Sequence, residues 1–308
     1  MTLQQLRYII AIDQYRHFGK AAEACGLTQS TLSLMVKKLE EELDVNIFDR
    51  DSHPVEPTEI GKKIIDQAKV VLYNVNQISV MTRSEKELVS GSLKIALIST
   101  VAPVLVPGLF KYVGSRFPSI DLKTEEMLTD TVKSKLRKAE VDMGILSHPV
   151  QDSDLLEIPL YSESFYAYVS PDNPAYSGKT VNLDSLQDKS VWIIKDGIRK
   201  LDIDEIRQSG NNTYESLFEG GRVGLLIQIV NDIGGMTIIP ETHLGLIPQS
   251  LRSHLRQVVS PKLSRTISLA IRSDYIHEAK LNVVVDAIKS IVPKLQWDNV
   301  IRKERLKL

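Results

Sequence analysis

Hydrogen-bonding side chains are concentrated in one short segment, directly after Gly26. They are Gln29, Ser30, Thr31 and Ser33. At the N-terminal end of a helix, such groups can reach base edges and phosphates in a DNA major groove, and the positive end of the helix attracts phosphate. Ser and Thr are also common helix N-caps, so these residues alone leave a DNA-reading and a purely structural interpretation open.

Two short helices joined by a tight turn would position these side chains. Residues 20–25 are predicted to form the first helix, Gly26 supplies the turn, and a second helix opens at Thr28 or Gln29. The buried face of the second helix is predicted to consist of Leu32, Met35, Val36 and Leu39. The hydrogen-bonding side chains then lie at its exposed N-terminal end.

The rest of the N-terminal part is also predicted to be helical. Apolar residues repeat near the helical period through residues 1–58, which we interpret as a compact helical unit. Thr58 then caps a longer apolar seam, predicted to run as one helix over residues 59–88. About 30 helical residues span roughly 45 Å, which is too long for a small domain to cover. Such a helix usually pairs with a second copy, so a dimerising role is predicted.

From Gly91 onward, the pattern alternates between strands and helices. The order of β-branched runs predicts βαβαβ units with a parallel sheet, and a domain over residues 91–308. Strands are predicted at 93–98, 120–127, 141–146, 165–169, 191–194, 236–239 and 267–272, with a C-terminal helix at 278–291. The predicted class is therefore α/β with an N-terminal all-α domain.

Composition excludes several classes of protein and site. The 308 residues include a single cysteine, Cys25, and six histidines with no close cysteine or carboxylate partners, so neither an internal disulfide nor a metal site is predicted. There is no apolar run of about 20 residues, and the N-terminal residues lack the features of a signal peptide. A cytoplasmic location is predicted. The first 60 residues hold six basic against ten acidic side chains, so DNA binding would depend on where the charges lie.

The N-terminal segment resembles the winged helix-turn-helix of LysR-type transcriptional regulators. The family pattern is matched by Ala21-Ala22, by LTQSTLS at 27–33 and by VKKLEEELDVNIFDR at 36–50. The resemblance implies that the major groove is read by Gln29, Ser30, Thr31 and Ser33, and that phosphates are met by Lys37 and Arg50. The resemblance also implies that residues 1–58 form the DNA-binding domain and that residues 53–58 occupy its wing, where VEPTEIG at 55–61 fits the family sequence and acidic Glu56 would weaken phosphate contact.

The C-terminal part resembles the effector domain of the peroxide-sensing OxyR branch of that family. The resemblance implies a periplasmic-binding-protein-like domain, with subdomain I at about 91–162 and 267–308 and subdomain II at about 163–266. A small effector would bind at the strand ends, where the matching residues are Ser99, Thr100, Val101, Thr129, Leu146 and Ser147. Ser99 and Thr100 are also expected to cap the following helix.

The chain departs from that branch at its reactive cysteine. A thiol sensor needs a low-pKa cysteine and a resolving partner, but the aligned position here holds Arg199 and no second cysteine exists. Disulfide switching is therefore not predicted. Arg199 would suit an anionic effector such as a carboxylate or phosphate. Alternatively, it is a solvated loop charge balanced by nearby Asp and Glu residues.

Two other functions compete with gene regulation as interpretations of the sequence. The sequence shows no catalytic set of nucleophile, base and orienting residue. It also shows no phosphate-binding loop and no dinucleotide-binding motif, so neither an enzyme nor a cofactor is predicted. The alternative is a cytoplasmic small-molecule-binding protein of the solute-binding fold without gene regulation. The regulator interpretation implies as partners a double-stranded DNA operator, a homodimer or homotetramer, RNA polymerase and a small effector.

Overall fold

The computed structural model describes residues 1–49, 52–81, 89–147, 149–150, 152–183, 191–192, 222–260, 262–275 and 277–292. The chain divides into two compact units. One comprises Met1–Glu85 with Arg137–Glu140, and the other Lys86–Leu136 with Val141–Leu308. They are called the N-terminal and C-terminal units below.

The N-terminal unit begins with three helices around one apolar core. They are α1 (Leu3–Tyr15), α2 (Phe18–Ala24) and α3 (Gln29–Leu43). Thr2 starts α1 with a capping box, because its hydroxyl accepts the Gln5 N–H while the Gln5 side chain accepts the Thr2 N–H. Ile9, Ile12, Leu32, Val36 and Leu39 are completely buried in the core. The predicted helical domain is therefore present.

A two-stranded ribbon and a long helix complete this unit. Antiparallel β1 (Phe48–Asp49) and β2 (Glu56–Pro57) form the wing, and α4 (Glu59–Met81) follows. The buried Glu40 carboxylate accepts the N–H groups of Ile47 and Phe48 at 2.8 and 3.2 Å, which ties the wing to α3. Thr58 caps α4 as predicted, since its hydroxyl accepts the Gly61 N–H at 2.9 Å. Residues 82–88 of the predicted helix lie outside the described residues.

The C-terminal unit opens with a parallel sheet in which helices alternate with strands. Its elements are β3 (Gly91–Ile98), α5 (Ala102–Arg116), β4 (Ile120–Met127), α6 (Thr129–Arg137) and β5 (Met143–Ser147). Strand β3 lies between β4 and β5 and is parallel to both. The predicted βαβαβ arrangement is confirmed, and the carboxyl ends of all three strands share one edge.

Two long strands extend this sheet beyond β5. They are β6 (Leu155–Val169) and β11 (Ser264–Arg272), which pair antiparallel along all of β11. The sequence predicts strand only at residues 165–169 and 267–272, so the start of β6 was missed. Pro159 interrupts the apolar pattern there, and the pairing with β11 shifts register at that point.

The remaining strands of this sheet, which has nine strands within the described residues, extend from the far end of β6. They are β7 (Thr180–Asn182), β8 (Val191–Trp192), β9 (Met236–Pro240) and β10 (Leu255–Ser260), with helix α7 (Val223–Ile233) beside them. Short 3-10 helices lie at Pro174–Ser177, Glu241–Leu246 and Gln249–His254, and α8 (Glu278–Ile291) has the predicted bounds. None of the described helices is long and apolar enough to cross a membrane.

Candidate DNA interface and effector site

The turn between α2 and α3 has the geometry that the sequence predicts. Helix α2 starts two residues earlier than predicted, at Phe18, with the His17 ring as its N-cap; Nδ1 of that ring accepts the Gly19 and Lys20 N–H groups at 3.0 and 3.3 Å. Gly26 adopts a positive φ of 68°, which a residue without Cβ adopts at little cost. The turn sends the chain directly into α3.

The N-terminal end of α3 is open to solvent. Thr28 is the N-cap, and its hydroxyl accepts the Thr31 N–H at 3.2 Å. The same hydroxyl bonds the hydroxyls of Ser30 and Thr31 at 3.0 and 2.8 Å. Gln29 and Ser30 are exposed, whereas Thr31 and Ser33 are half-buried. Part of the predicted reading set is thus held in place by the cap, which orients the hydroxyls before any ligand binds.

The outward face of α3 contains one residue that the sequence interpretation missed. Leu32, Val36, Leu39 and Glu40 define the buried face. At 100° per residue, the opposite face is centred on Ser30, Leu34, Lys37, Lys38 and Glu41. Leu34 is 52% exposed, although a leucine usually turns inward. The signal was available in the sequence, because Leu34 falls out of phase with the buried apolar residues.

Several charged side chains on α3 and near the wing form ion pairs. Glu56, expected to repel phosphate, bonds Arg16 at 2.5 Å. Lys62 bonds Glu59 at 2.6 Å, and Lys37 lies 3.6 Å from Glu41. All of these side chains are at least one-third exposed, so water and salt weaken the pairs and phosphate can compete for the cations. Arg50 lies outside the described residues.

In the C-terminal unit, the predicted effector residues lie at the shared carboxyl edge of β3, β4 and β5. Thr100 follows β3, Thr129 opens α6 directly after β4, and Ser147 ends β5. Ser147 Oγ is buried and has no hydrogen-bond partner among the described residues. Val101 and Leu146 are 1% and 0% exposed, so their side chains belong to the core. Arg199 lies outside the described residues.

The expectation that Ser99 and Thr100 cap the following helix is wrong. The N-cap of α5 is Val101, and no side-chain cap hydrogen bond is made. Pro103 lies in the first turn and has no N–H to satisfy. Ser99 and Thr100 are instead buried at 6% and 3% exposure.

A buried ion pair, which the sequence interpretation missed, occupies this edge. Arg265 on β11 faces Glu163 on β6, with Nε and Nη2 at 2.8 and 2.7 Å from Oε1 and both side chains 0% exposed. Arg265 Nη1 also donates to the Thr100 hydroxyl at 2.8 Å. The second Glu163 oxygen accepts the N–H and hydroxyl of Thr242 at 3.1 and 2.6 Å. Strands β6 and β11, the segment after β3 and the 3-10 helix after β9 thus meet at one charged centre.

His243 lies beside this centre in an uncharged state. The residue is 3% exposed, and neither ring nitrogen has a hydrogen-bond partner among the described residues. Burial lowers the pKa of His243 to about 4, against a smaller opposing effect of Glu163. The imidazole therefore remains neutral at physiological pH.

This neutral histidine predicts an acid-sensitive C-terminal unit. Above about pH 6.5, the imidazole is neutral in both folded and unfolded chains, so stability is unaffected. Between about pH 6.5 and 4, the unfolded chain binds a proton that the folded chain does not. We therefore expect the free energy of unfolding to fall by up to about 3 kcal/mol over this range. Urea unfolding at pH 7 and pH 4.5 measures this change in the free energy of unfolding.

Two variants test the assignment to His243. His243→Gln should reduce the pH dependence of the free energy of unfolding, and exposed His53→Gln should retain it. An equal pH dependence in the two variants would contradict the assignment.

Comparison with known proteins covers both units. Residues 3–62 match the model of the bacterial regulatory helix-turn-helix protein, lysR family, and residues 86–292 match the LysR substrate binding domain. The chain belongs to the LysR family. The family match supports a DNA-binding transcription regulator and does not favour the non-regulatory alternative.

Individual relatives of this LysR-family protein are OxyR proteins. The hydrogen peroxide-inducible genes activator of Haemophilus influenzae is 28% identical over 304 residues, covering 96% of this chain and 100% of the relative. The DNA-binding transcriptional dual regulator OxyR of Escherichia coli is 28% identical, covering 94% and 95%. A full-length OxyR variant from Pseudomonas aeruginosa has a TM-score of 0.78 at 31% identity, covering 95% and 99%. The predicted fold class is confirmed.

The LysR-family protein lacks a dithiol switch of its own. Its one cysteine, Cys25, ends α2 in the N-terminal unit. Partial burial raises the pKa of the Cys25 thiol, which lowers the thiolate fraction. Among the described residues, no group of three or more His, Cys, Asp or Glu side chains is arranged to hold a metal ion. The likeness to OxyR therefore extends over the fold but not to paired redox cysteines.

Proposed function

We propose that this LysR-family regulator binds an operator through α3 and changes its affinity for that DNA in response to a small effector, without disulfide chemistry. The observation that carries the DNA part is the open N-terminal end of α3, which the Thr28 cap holds in shape. The effector part depends on the hydroxyls and charges at the carboxyl edge of β3, β4 and β5. No catalytic step is proposed.

The DNA contacts are divided by chemistry. Gln29, Ser30, Thr31 and Ser33 meet base edges in the major groove, and Lys37 and Arg50 meet phosphates. The exposed amide of Gln29 offers a donor and an acceptor together, which is the pair that an adenine edge presents. Lys37 lies one turn beyond the base-reading end, where its cation is reachable by the backbone of the duplex.

Two copies of the chain are needed for this mode of binding. Helix α4 runs for 23 residues with an apolar stripe, including half-buried Val71 and Leu72 and 64% exposed Ile78. We infer that α4, within a linker of about residues 59–88, pairs with its counterpart in a homodimer, or in a homotetramer formed from two dimers. The α3 helices of the two copies would then bind two operator half-sites in the cytoplasm, and RNA polymerase would contact the resulting complex.

The effector is proposed to bind at the edge that holds Ser99, Thr100, Val101, Thr129, Leu146 and Ser147, and Arg199, which lies outside the described residues, is the remaining predicted contact. The buried Ser147 hydroxyl, which has no hydrogen-bond partner among the described residues, would supply a hydrogen-bonding group, and Arg199 would favour an anion. Subdomain II, at about residues 163–266, joins subdomain I through β6 and β11. A ligand that prefers one arrangement of the subdomains would shift the population of DNA-binding states by its differential affinity. Small carboxylates and phosphates are the first candidates for titration.

A DNase footprint of the full-length protein on the DNA upstream of its own gene tests the regulator. We expect protection over several helical turns, unchanged by hydrogen peroxide, because no disulfide can form within the chain. Lack of protection at moderate salt would contradict DNA reading. Protection that peroxide alters would contradict the thiol-independent signal.

Binding titrations separate the two kinds of DNA contact. Gln29→Ala should lower operator affinity by about 1–3 kcal/mol and relax specificity at one base pair, because it removes a base contact. Lys37→Ala should weaken binding to all sequences alike and reduce the salt slope by about one, because it removes a phosphate contact. Lys111→Ala, an exposed lysine of the C-terminal unit, is the control. A Lys37→Ala salt slope equal to that of wild type would remove Lys37 from the interface.

A further inference from the structure

Leu34 is out of place on the surface of α3. It is 52% exposed and lies at the centre of the outward face of α3, opposite the buried Leu32, Val36 and Leu39. The whole of α3 is described, and Leu34 is its one large apolar side chain counted as exposed. About half of this side chain is exposed to water at the centre of the proposed DNA-facing surface, so its apolar area is available to a bound partner.

The neighbours of Leu34 on the outward face of α3 are polar, and their chemistry differs between the two sides of Leu34. Ser30 lies one turn before it, and Lys37 and Lys38 lie one turn after it on the same face. All three neighbours are exposed. A hydroxyl on one side and two cations on the other are suited to the polyanionic walls of a groove. An apolar protein partner would instead meet charged side chains immediately around Leu34, so a protein-docking role is disfavoured.

One apolar group is presented at the base edges of the major groove. It is the C5-methyl of thymine, since the other positions there are hydrogen-bond donors and acceptors. An isobutyl group cannot satisfy any of those donors or acceptors, and placing it against them costs free energy. Packing against a methyl buries apolar surface on both partners and distinguishes a T·A pair from a C·G pair.

We propose that Leu34 is a specificity-determining residue that packs against the C5-methyl of a thymine in each operator half-site. This proposal rests on the proposed function, because it requires α3 to enter the major groove. It adds a contact of a different chemical kind to the hydrogen bonds assigned to Gln29 and Ser30. The preference at that position comes from shape and apolar burial.

The experiment uses duplexes selected from a random library with the full-length protein. Each thymine of a selected duplex is replaced in turn by deoxyuridine, which removes only the methyl group. For the wild-type chain we expect affinity to fall about 3- to 10-fold at one position per half-site. Leu34→Ala should bind the unmodified duplex more weakly by a similar factor and be insensitive to uracil at that position. Leu34→Met, which stays apolar, should keep the sensitivity.

The outcomes distinguish the proposal from the proposed function. If wild-type protein enriches no duplex, reading by α3 itself fails. If wild-type protein binds a selected duplex but tolerates uracil at every position, the Leu34 contact is overturned. The same holds if Leu34→Ala remains as sensitive as wild type. Leu3→Ala, an exposed leucine on α1, serves as the matched control and should leave the uracil profile unchanged. Circular dichroism confirms that each variant is folded before its profile is compared.

Discussion

Arg265→Met is expected to destabilise the C-terminal unit by about 3–5 kcal/mol. The substitution leaves the Glu163 carboxylate buried at 0% exposure without its cation, and it removes the donor to Thr100. The two Thr242 bonds to Glu163 remain, but hydrogen bonds alone do not replace the charge. Urea unfolding followed by tryptophan fluorescence measures the change, since Trp192 lies in this unit.

Two further variants separate charge burial from general damage. Glu163→Gln combined with Arg265→Met removes both charges, so the double variant should recover much of the lost stability. Glu59→Gln breaks the exposed pair with Lys62 and should leave stability essentially unchanged, because water and salt screen that pair. If the double variant is as unstable as the sum of its single variants, the loss comes from packing and the ion-pair explanation fails.

Gly61→Ala is expected to disrupt the N-terminal unit and abolish operator binding. A Cβ at this position would lie 1.9 Å from the Ile47 carbonyl oxygen and 2.8 Å from its carbon. Both atoms belong to backbone that Thr58 and Glu40 hold by hydrogen bonds, so neither can move freely. Overpacking of this kind lowers the free energy of unfolding by about 3 kcal/mol. Thermal unfolding and a DNA-binding titration of the same preparation measure the two effects.

Gly114→Ala is the matched control for that substitution. Gly114 is also a helical glycine, in α5, and a Cβ there would meet nothing within 4 Å. Alanine has the higher helix propensity, so this variant should be neutral or more stable by about 0.5 kcal/mol. If both variants lose the same stability, the close approach of α4 to the wing is not the cause.

Much of the fold is accessible to local sequence reasoning. The bounds of β4 and α8 agree with the pattern of residues 120–127 and 278–291, and the Thr28 and Thr58 caps mark helix starts correctly. These features depend on neighbouring residues, through side-chain period and the hydrogen-bonding needs of helix ends. The side chains predicted to read DNA can be grouped for the same reason, because they share one end of one helix.

The start of β6 and the charged centre were not accessible in this way. Residues 155–164 mix Pro159 with Glu and Ser side chains, which favours a loop when the segment is viewed alone. Their strand state depends on pairing with β11, about 100 positions further along the chain. Likewise, nothing near Arg265 in the sequence identifies Glu163 or Thr100 as its partners.

The sequence by itself determined the helix-turn-helix, the parallel sheet and the absence of a second cysteine. Periodicity, capping and composition act within one or two turns of chain, so they can be inferred without coordinates. Only the tertiary structure decided that Arg265 and Glu163 share a dry site with Thr100, that His243 stays neutral, and that Thr100 does not cap α5. Desolvation and long-range pairing arise only when segments distant in sequence are packed together, and no local pattern encodes them.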